Sequence, residues 1–206
     1  MEIISISGQL RTELGKKGSK STRKKELIPC VLYGGGQAVH FSTTFNEVRS
    51  LIYTADFKVA SIALEDQSVK AIVKDVQFHP LTDEIIHIDF LRLVKGHPIK
   101  VELPIRFTGV SPGVKLGGRL VQQLRKIKVK TIPEKLVHEL TLDISTLEMG
   151  QAIRVRDIDI AEGIEIINQP SIPVASVQVP RALKAEEGEE EEEGTETPEA
   201  AEATEE

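Results

Sequence analysis

The sequence predicts a mainly β protein of two domains followed by a disordered acidic tail. Three observations carry that reading. Apolar and polar residues alternate with period two in segment after segment, Gly and Pro punctuate those segments, and only one short stretch shows helical spacing with a capping residue. At 206 residues the chain has room for two domains of ordinary size. Aromatic residues make up 4% of it and there is no Trp, so any interior must be aliphatic.

In chain order, Ile4 and Ile6 alternate with Ser5 and Ser7, as in a half-buried strand. From Gln9 to Lys25 the periodicity is lost, and Gly15, Gly18, Ser19, Ser21 and Thr22 predict a loop or a short irregular turn. Pro29 to Tyr33 reads as a buried strand stopped by Gly34-Gly35-Gly36, with Val39 to Ser42 as the return arm of a hairpin. Thr44 is the candidate N-cap of the one helix, with Glu47 at the capping-box position and Phe45, Val48, Leu51 and Ile52 at helical spacing. Strands resume from Phe57 to Leu93, with turns at Glu65-Asp66-Gln67 and His79-Pro80. Within Glu84–Phe90 the alternation places Ile86, Ile88 and Phe90 on one face, and aims His87 and Asp89 together from the other.

Lys95-Gly96-His97-Pro98 is a Gly/Pro break, so the first domain is expected to span 1–95 and the second 96–182. The second domain is again rich in strands. Val101–Phe107 is one, and a long glycine-rich loop follows from Gly109 to Gly118. Lys126, Lys128 and Lys130 alternate with Ile127 and Val129, giving a strand with one charged face, and further strands read at Glu139–Ile144, Ile164–Ile167 and Pro173–Val179. Residues 183–206 form a Glu-rich tail whose composition predicts disorder.

The formal net charge of −6 hides a basic body. Residues 186–206 hold 12 Glu and no Lys or Arg; outside them 26 Lys and Arg face 20 Asp and Glu, a balance of +6. Within that body Arg11, Lys16, Lys17, Lys20, Arg23, Lys24 and Lys25 put seven positive charges into fifteen residues against Glu13 alone. Apolar runs are far shorter than the ~20 residues of a membrane span, and no signal peptide opens the chain, so a cytoplasmic protein is expected. A single cysteine excludes an internal disulfide and a cysteine-based zinc cluster.

Enzyme chemistry finds no positive support. Cys30 lies in an apolar strand, where a cysteine acts as a small hydrophobe. Gly34-Gly35-Gly36 is not followed by Lys-Ser/Thr and lacks G-x-G-x-x-G spacing, so it reads as a turn and not a phosphate loop. His79, His87 and Asp89 have the side chains to ligate a metal, although a His-x-Asp pair on a strand is more often a hydrogen-bonding or structural pair. No catalytic residue, cofactor, metal or small-molecule substrate is expected.

RNA binding explains more of the residues together. A Gly/Ser-rich basic segment lets Arg, Lys and backbone N–H groups reach closely spaced phosphates, though a merely solvated charge run has the same composition. Tyr33 ends a strand before a glycine turn, where its ring can lie against a ribose or base, or simply edge the core. His87 and Asp89 can offer a donor and an acceptor to a wide, shallow RNA minor groove. An Asp beside a polyanion is costly unless it accepts a specific hydrogen bond, which favours readout over simple attraction.

The series Arg11, Gly15-Lys16, Ser19, Pro29, Tyr33-Gly34, Val76-Gln77, His79-Pro80 and His87-Ile88-Asp89-Phe90 resembles the bacterial large-subunit ribosomal protein family that binds 5S rRNA. This is the twenty-fifth protein of that subunit, in the long form called CTC or general stress protein CTC. The likeness continues through Pro104-Ile105, Gly109, Gly113, Gly117-Gly118, Ile132-Pro133, Asp143-Ile144 and Gly150, covering residues 3 to 180. Each motif is weak alone; in this order and spacing they are specific. The resemblance implies an N-terminal β-barrel with small helices that binds the irregular loop E region of 5S rRNA through its minor groove, and a C-terminal β domain. Carried over position by position, it implies RNA contacts by Arg11, Lys16, Ser19, Lys20, Tyr33, His87 and Asp89, with Gln77 and His79 as further candidates. Ser21 stands where many relatives have a second Arg, and Arg23 or Lys24 are the candidates to replace it.

The expected protein is therefore a structural constituent of the large ribosomal subunit with 5S rRNA as its partner. The rival reading is a stress-related protein-interaction factor acting through the C-terminal domain and the tail.

Overall fold

The computed structural model describes residues 2–64, 67–158 and 163–179. The turn expected at Glu65-Asp66 and the acidic tail lie outside the described residues. The first elements are β1 (Ile3–Leu10), α1 (Gly15–Lys24), β2 (Leu27–Tyr33), β3 (Val39–Thr44), α2 (Phe45–Ile52), β4 (Val59–Leu64), β5 (Gln67–Phe78) and β6 (Ile85–Arg92). Six of these are strands that close a barrel in the order β1-β3-β2-β6-β5-β4. Closure is made by β1 running parallel to β4, from Ile3 beside Val59 to Gly8 beside Leu64. The fold is mainly β with a barrel at the N-terminus, as expected.

Alternation fills the barrel. Ile6, Cys30, Leu32, Phe41, Ile62, Ile88 and Phe90 point inward and are almost fully buried, with the Phe41 and Phe90 rings 5.7 Å apart. The Pro29–Tyr33 and Val39–Ser42 segments do form a hairpin, with Leu32 opposite Val39. Gly34 and Gly35 make its turn at φ 98° and 75°, a backbone region that favours glycine. In β6 the inward set is Ile85, Ile88 and Phe90. Ile86 departs from the expected face because β5 advances one residue, Gln77 to Phe78, while β6 moves from His87 to Ile85. That bulge leaves Ile86 as the extra residue, only partly buried.

Two local expectations change. The loop expected over Gln9–Lys25 contains helix α1. Its only fully buried residue is Gly18, which faces the Glu13 carbonyl so closely that a Cβ would fall inside van der Waals contact with it. The glycine read as a breaker is therefore a close-approach residue inside a helix that shows no apolar stripe. In α2, Val48 and Leu51 are buried as expected and Thr44 is the N-cap, but Thr44 makes no side-chain cap. Glu47 does not complete a capping box. Its carboxylate instead accepts from the Ser7 N–H at 2.9 Å, the Ser7 hydroxyl and the Thr43 hydroxyl at 2.7 Å, tying α2 to β1 and β3. Burial opposes its charge, but these hydrogen bonds outweigh burial and hold the Glu47 carboxyl below its ordinary pKa.

The chain continues through β7 (Ile99–Thr108), α3 (Pro112–Lys115), β8 (Arg119–Gln122), β9 (Lys126–Thr131), β10 (Leu140–Asp143), β11 (Ala152–Arg154), β12 (Ile164–Ile166) and β13 (Pro173–Gln178). Among the described residues, 2–64, 67–106, 125–142, 158 and 163–169 form one compact unit; residues 107–124, 143–157 and 170–179 form another. The first unit holds the barrel and a four-stranded sheet in the order β10-β7-β9-β12. In β9, Ile127 and Val129 are buried while Lys128 and Lys130 pair with Glu102 and Glu165 at 3.7 and 3.0 Å. The second unit holds the sheet β11-β13-β8 around Ile144, Leu147 and Val177. Its glycine-rich segment contains one helical turn, α3, started by Pro112 and capped by the buried Ser111, whose hydroxyl accepts from the Val114 N–H and donates to the Leu147 carbonyl.

Candidate nucleic-acid interface

The outer face of the barrel gathers side chains that are far apart in sequence. The register sets Asp89 of β6 beside Val31 of β2 and Asp75 of β5, and sets His87 beside Gln77. Tyr33, at the end of β2, lies beside Leu91. Since alternate residues share a face, Tyr33, His87, Asp89, Gln77 and Asp75 all belong to the outside of one curved sheet. His87 and Asp89 are 25% and 33% exposed, enough to be reached by a ligand yet held by their neighbours.

His87 Nδ1 lies 2.8 Å from Asp89 Oδ1. That close polar contact holds the two side chains against each other on the outer face. The two residues thus form one pre-oriented unit, a finer arrangement than the separate donor and acceptor expected from alternation alone. Tyr33 has its phenol pKa raised, first by burial and then by the negative charges of Asp89 and Asp75. It stays a neutral hydroxyl that can donate and accept. Cys30, on the inward side of β2, is fully buried, and burial pushes its thiol far above the ordinary range, so it is a core residue and not a nucleophile.

Arg11 follows β1, its N–H bonded to the His40 carbonyl. Its guanidinium Nη2 donates to the Glu13 carbonyl at 3.2 Å and to the Ser19 hydroxyl at 3.3 Å. Arg11 and Ser19 therefore brace α1 against the end of β1, and the remaining guanidinium N–H groups stay available. On α1 itself Lys16, Lys20 and Lys24 follow at four-residue intervals and share one face, with Arg23 beside them. All four are exposed and none enters an ion pair among the described residues. The lysines of β9 offer a contrast, since Lys128 and Lys130 are each matched by a Glu. Of the two basic stretches in the sequence, the first keeps its field.

The two halves adjoin. Lys20, Arg23 and Lys24 border a groove with His79, Glu84 and Ile86, so the charged face of α1 meets the turn between β5 and β6. His79 is partly committed there, because its Nδ1 accepts from the N–H groups of Leu81 and Thr82 at 3.3 Å each. Asp75 is the residue that sequence reasoning missed. Its place opposite Asp89 depends on a register shift between Val73 and Asp75, which alternation cannot reveal.

Residues 6–90 match the model of the Ribosomal L25p family, and residues 98–181 match that of Ribosomal protein TL5, C-terminal domain. Among curated proteins, the Large ribosomal subunit protein bL25 of Cytophaga hutchinsonii is 41% identical over 187 residues, covering 91% of this chain and 97% of its own. The protein of the same name from Porphyromonas gingivalis is 40% identical over 89% of this chain and 96% of its own. That of Bacteroides thetaiotaomicron is 36% identical with the same coverage.

Proposed function

The chain belongs to the Ribosomal L25p family of large-subunit ribosomal proteins, which are structural and not enzymes, and from that premise we propose that its N-terminal domain, residues 1–95, binds 5S rRNA. The compartment that follows is the ribosome's, the cytoplasm. The domain division proposed with it runs 1–95 for RNA, 96–182 for the C-terminal β domain and 183–206 for the acidic tail.

One observation supports the reading above others: His87 and Asp89, 2.8 Å apart, share the outer barrel face with Tyr33, and the unpaired cations of α1 border the turn that leads into the same strand, β6. A helix of unpaired Lys and Arg supplies affinity for any phosphate backbone. Fixed side chains on paired strands supply selection, because a donor and acceptor at set spacing fit only some minor-groove edges and 2′-hydroxyls. The contacts are assigned to Arg11, Lys16, Ser19, Lys20, Tyr33, His87 and Asp89, with Arg23, Lys24, Gln77 and His79 at the margin, and the loop E region as the target. Titrating the full chain with 5S rRNA and with an unrelated RNA duplex of equal length at the same ionic strength tests this. Clear preference for 5S rRNA is expected; equal affinities would leave only the electrostatic half of the site and defeat the proposal.

A further inference from the structure

The barrel carries a second surface feature, which shares only Arg23 with the residues proposed to contact RNA. An open groove of about 820 Å³ runs between the end of α1, the side of α2 and the turn that joins β5 to β6. Ile28 and Ile85 are buried beneath it, and Phe45 and Tyr53 stand along one side. Their ring centroids are 6.0 Å apart in an edge-on arrangement, and Tyr53 repeats that contact with Phe78 at 6.4 Å. The three rings are 42%, 54% and 44% exposed for Phe45, Tyr53 and Phe78. Only eight aromatic side chains occur in the chain, six Phe and two Tyr. Grouping three of them at the surface leaves apolar area in water that the barrel core does not need, the mark of a docking surface.

The charges around the groove say what fits it. Arg23 and Arg49 contribute two positive charges; Glu26, Asp83 and Glu84 contribute three negative ones. None of the five enters an ion pair among the described residues. Glu26 and Asp83 are also the two non-glycine residues there with positive φ, at 60° and 54°, a backbone region costly for any residue with a Cβ. Strain of this kind persists where surrounding structure enforces it, and it gathers at functional positions. A nucleic acid would bring phosphates against three carboxylates, so the aromatic wall is not a stacking platform for bases. A protein segment with Lys or Arg beside an apolar side chain satisfies every part. Its cation can lie over a ring of Phe45 or Tyr53 and pair with Glu26 or Asp83, while its apolar neighbour covers Ile28 and Ile85.

We propose that this groove docks a basic and apolar segment of a neighbouring protein in the large ribosomal subunit. Arg23 and Glu84 also border the groove beside His79, so that partner would sit next to the RNA-facing surface.

The test installs the photo-crosslinker benzoylphenylalanine at Phe45 of the full chain, assembles it into large subunits, irradiates them and sequences the linked fragment. A link to a ribosomal-protein segment that carries Lys or Arg within a few residues of an aliphatic or aromatic one is expected. Its yield should fall roughly 5- to 30-fold in the Tyr53→Ala background, as for loss of an interface anchor. It should also fall when Glu26→Asn and Asp83→Asn are combined, which removes both charges with a residue that tolerates left-handed backbone. Tyr53 is more than half exposed, so Tyr53→Ala should melt as the parent does; if it does not, the paired Asn substitutions carry the test. Affinity for free 5S rRNA should be unchanged in both, which separates this proposal from the RNA-binding one. A link to rRNA alone, to a segment without Lys or Arg, or to nothing overturns it, as does a yield indifferent to both sets of substitutions or a matching loss of 5S affinity.

Discussion

Asp89 Oδ1 lies 2.8 Å from His87 Nδ1, and a second carboxylate, Asp75, is its register partner on β5. The like charge discourages a bare phosphate from approaching Asp89, while the His87 imidazole is held beside it on the same face. Removing either member of the pair releases the other, so their effects on binding cannot be independent. Asp89→Ala should weaken 5S rRNA binding by about 1–3 kcal/mol, in line with the loss of a specific nucleic-acid contact. His87→Ala should do the same, and the double variant should lose less than the sum by about 0.5–3 kcal/mol, the range for residues in direct contact. Calorimetric titration of the four proteins measures that coupling; simple additivity would show that the two side chains act apart. The pair was legible in the sequence because His87 and Asp89 are two residues apart in a strand and must share a face. Asp75 was not legible, since a bulge at Lys74 decides which residue of β5 comes opposite.

At the scale of elements, α2 is fastened by Glu47, whose folded-state pKa is depressed relative to its ordinary 4.5. A depressed carboxyl contributes stability that is complete above the unfolded pKa and is lost as pH falls through the folded one. The barrel should therefore lose stability progressively below about pH 4.5, and Glu47→Gln should flatten that part of the profile. Chemical denaturation at a series of acidic pH values measures it, and parallel profiles for the two proteins would rule the fastening out. Helix α1 makes a different case. Strands announced themselves because one side of each meets the core, whereas α1 buries only Gly18 and its period lies in Lys16, Lys20 and Lys24, which a search for apolar spacing does not register. The role proposed for it would make it tolerant of single charge losses. Lys24→Ala should weaken binding to all RNA alike and reduce the slope of log affinity against log salt by roughly one, whereas Asp89→Ala should leave that slope alone. Identical slopes for Lys24→Ala and the parent would remove Lys24 from the phosphate-contacting set.

For the whole molecule, period-two alternation shows how many segments are strands but not how they join. The closure of β1 on β4 and of β2 on β6 uses parallel pairs between segments distant in sequence, which no local pattern encodes. The barrel entered the sequence reading through family resemblance for that reason. Charge behaves in the opposite way, since it sums over the chain whatever the topology. The 12 Glu of residues 186–206 turn a body of +6 into a protein of −6, so at a distance an RNA meets a net negative chain. The specific binding proposed above, with α1 and the His87–Asp89 face against the RNA, would be less sensitive to that distant field than nonspecific encounter is. Deleting residues 186–206 should therefore raise affinity for an unrelated RNA duplex more than affinity for 5S rRNA. The difference should shrink as salt rises, because screening shortens the reach of the field to about 10 Å at 0.1 M ionic strength. Parallel titrations of the full and shortened chains against both RNAs, at low and high salt, measure the two changes; an unrelated-duplex affinity that is the same with and without the Glu run at low salt would mean that the tail has no part in selecting RNA.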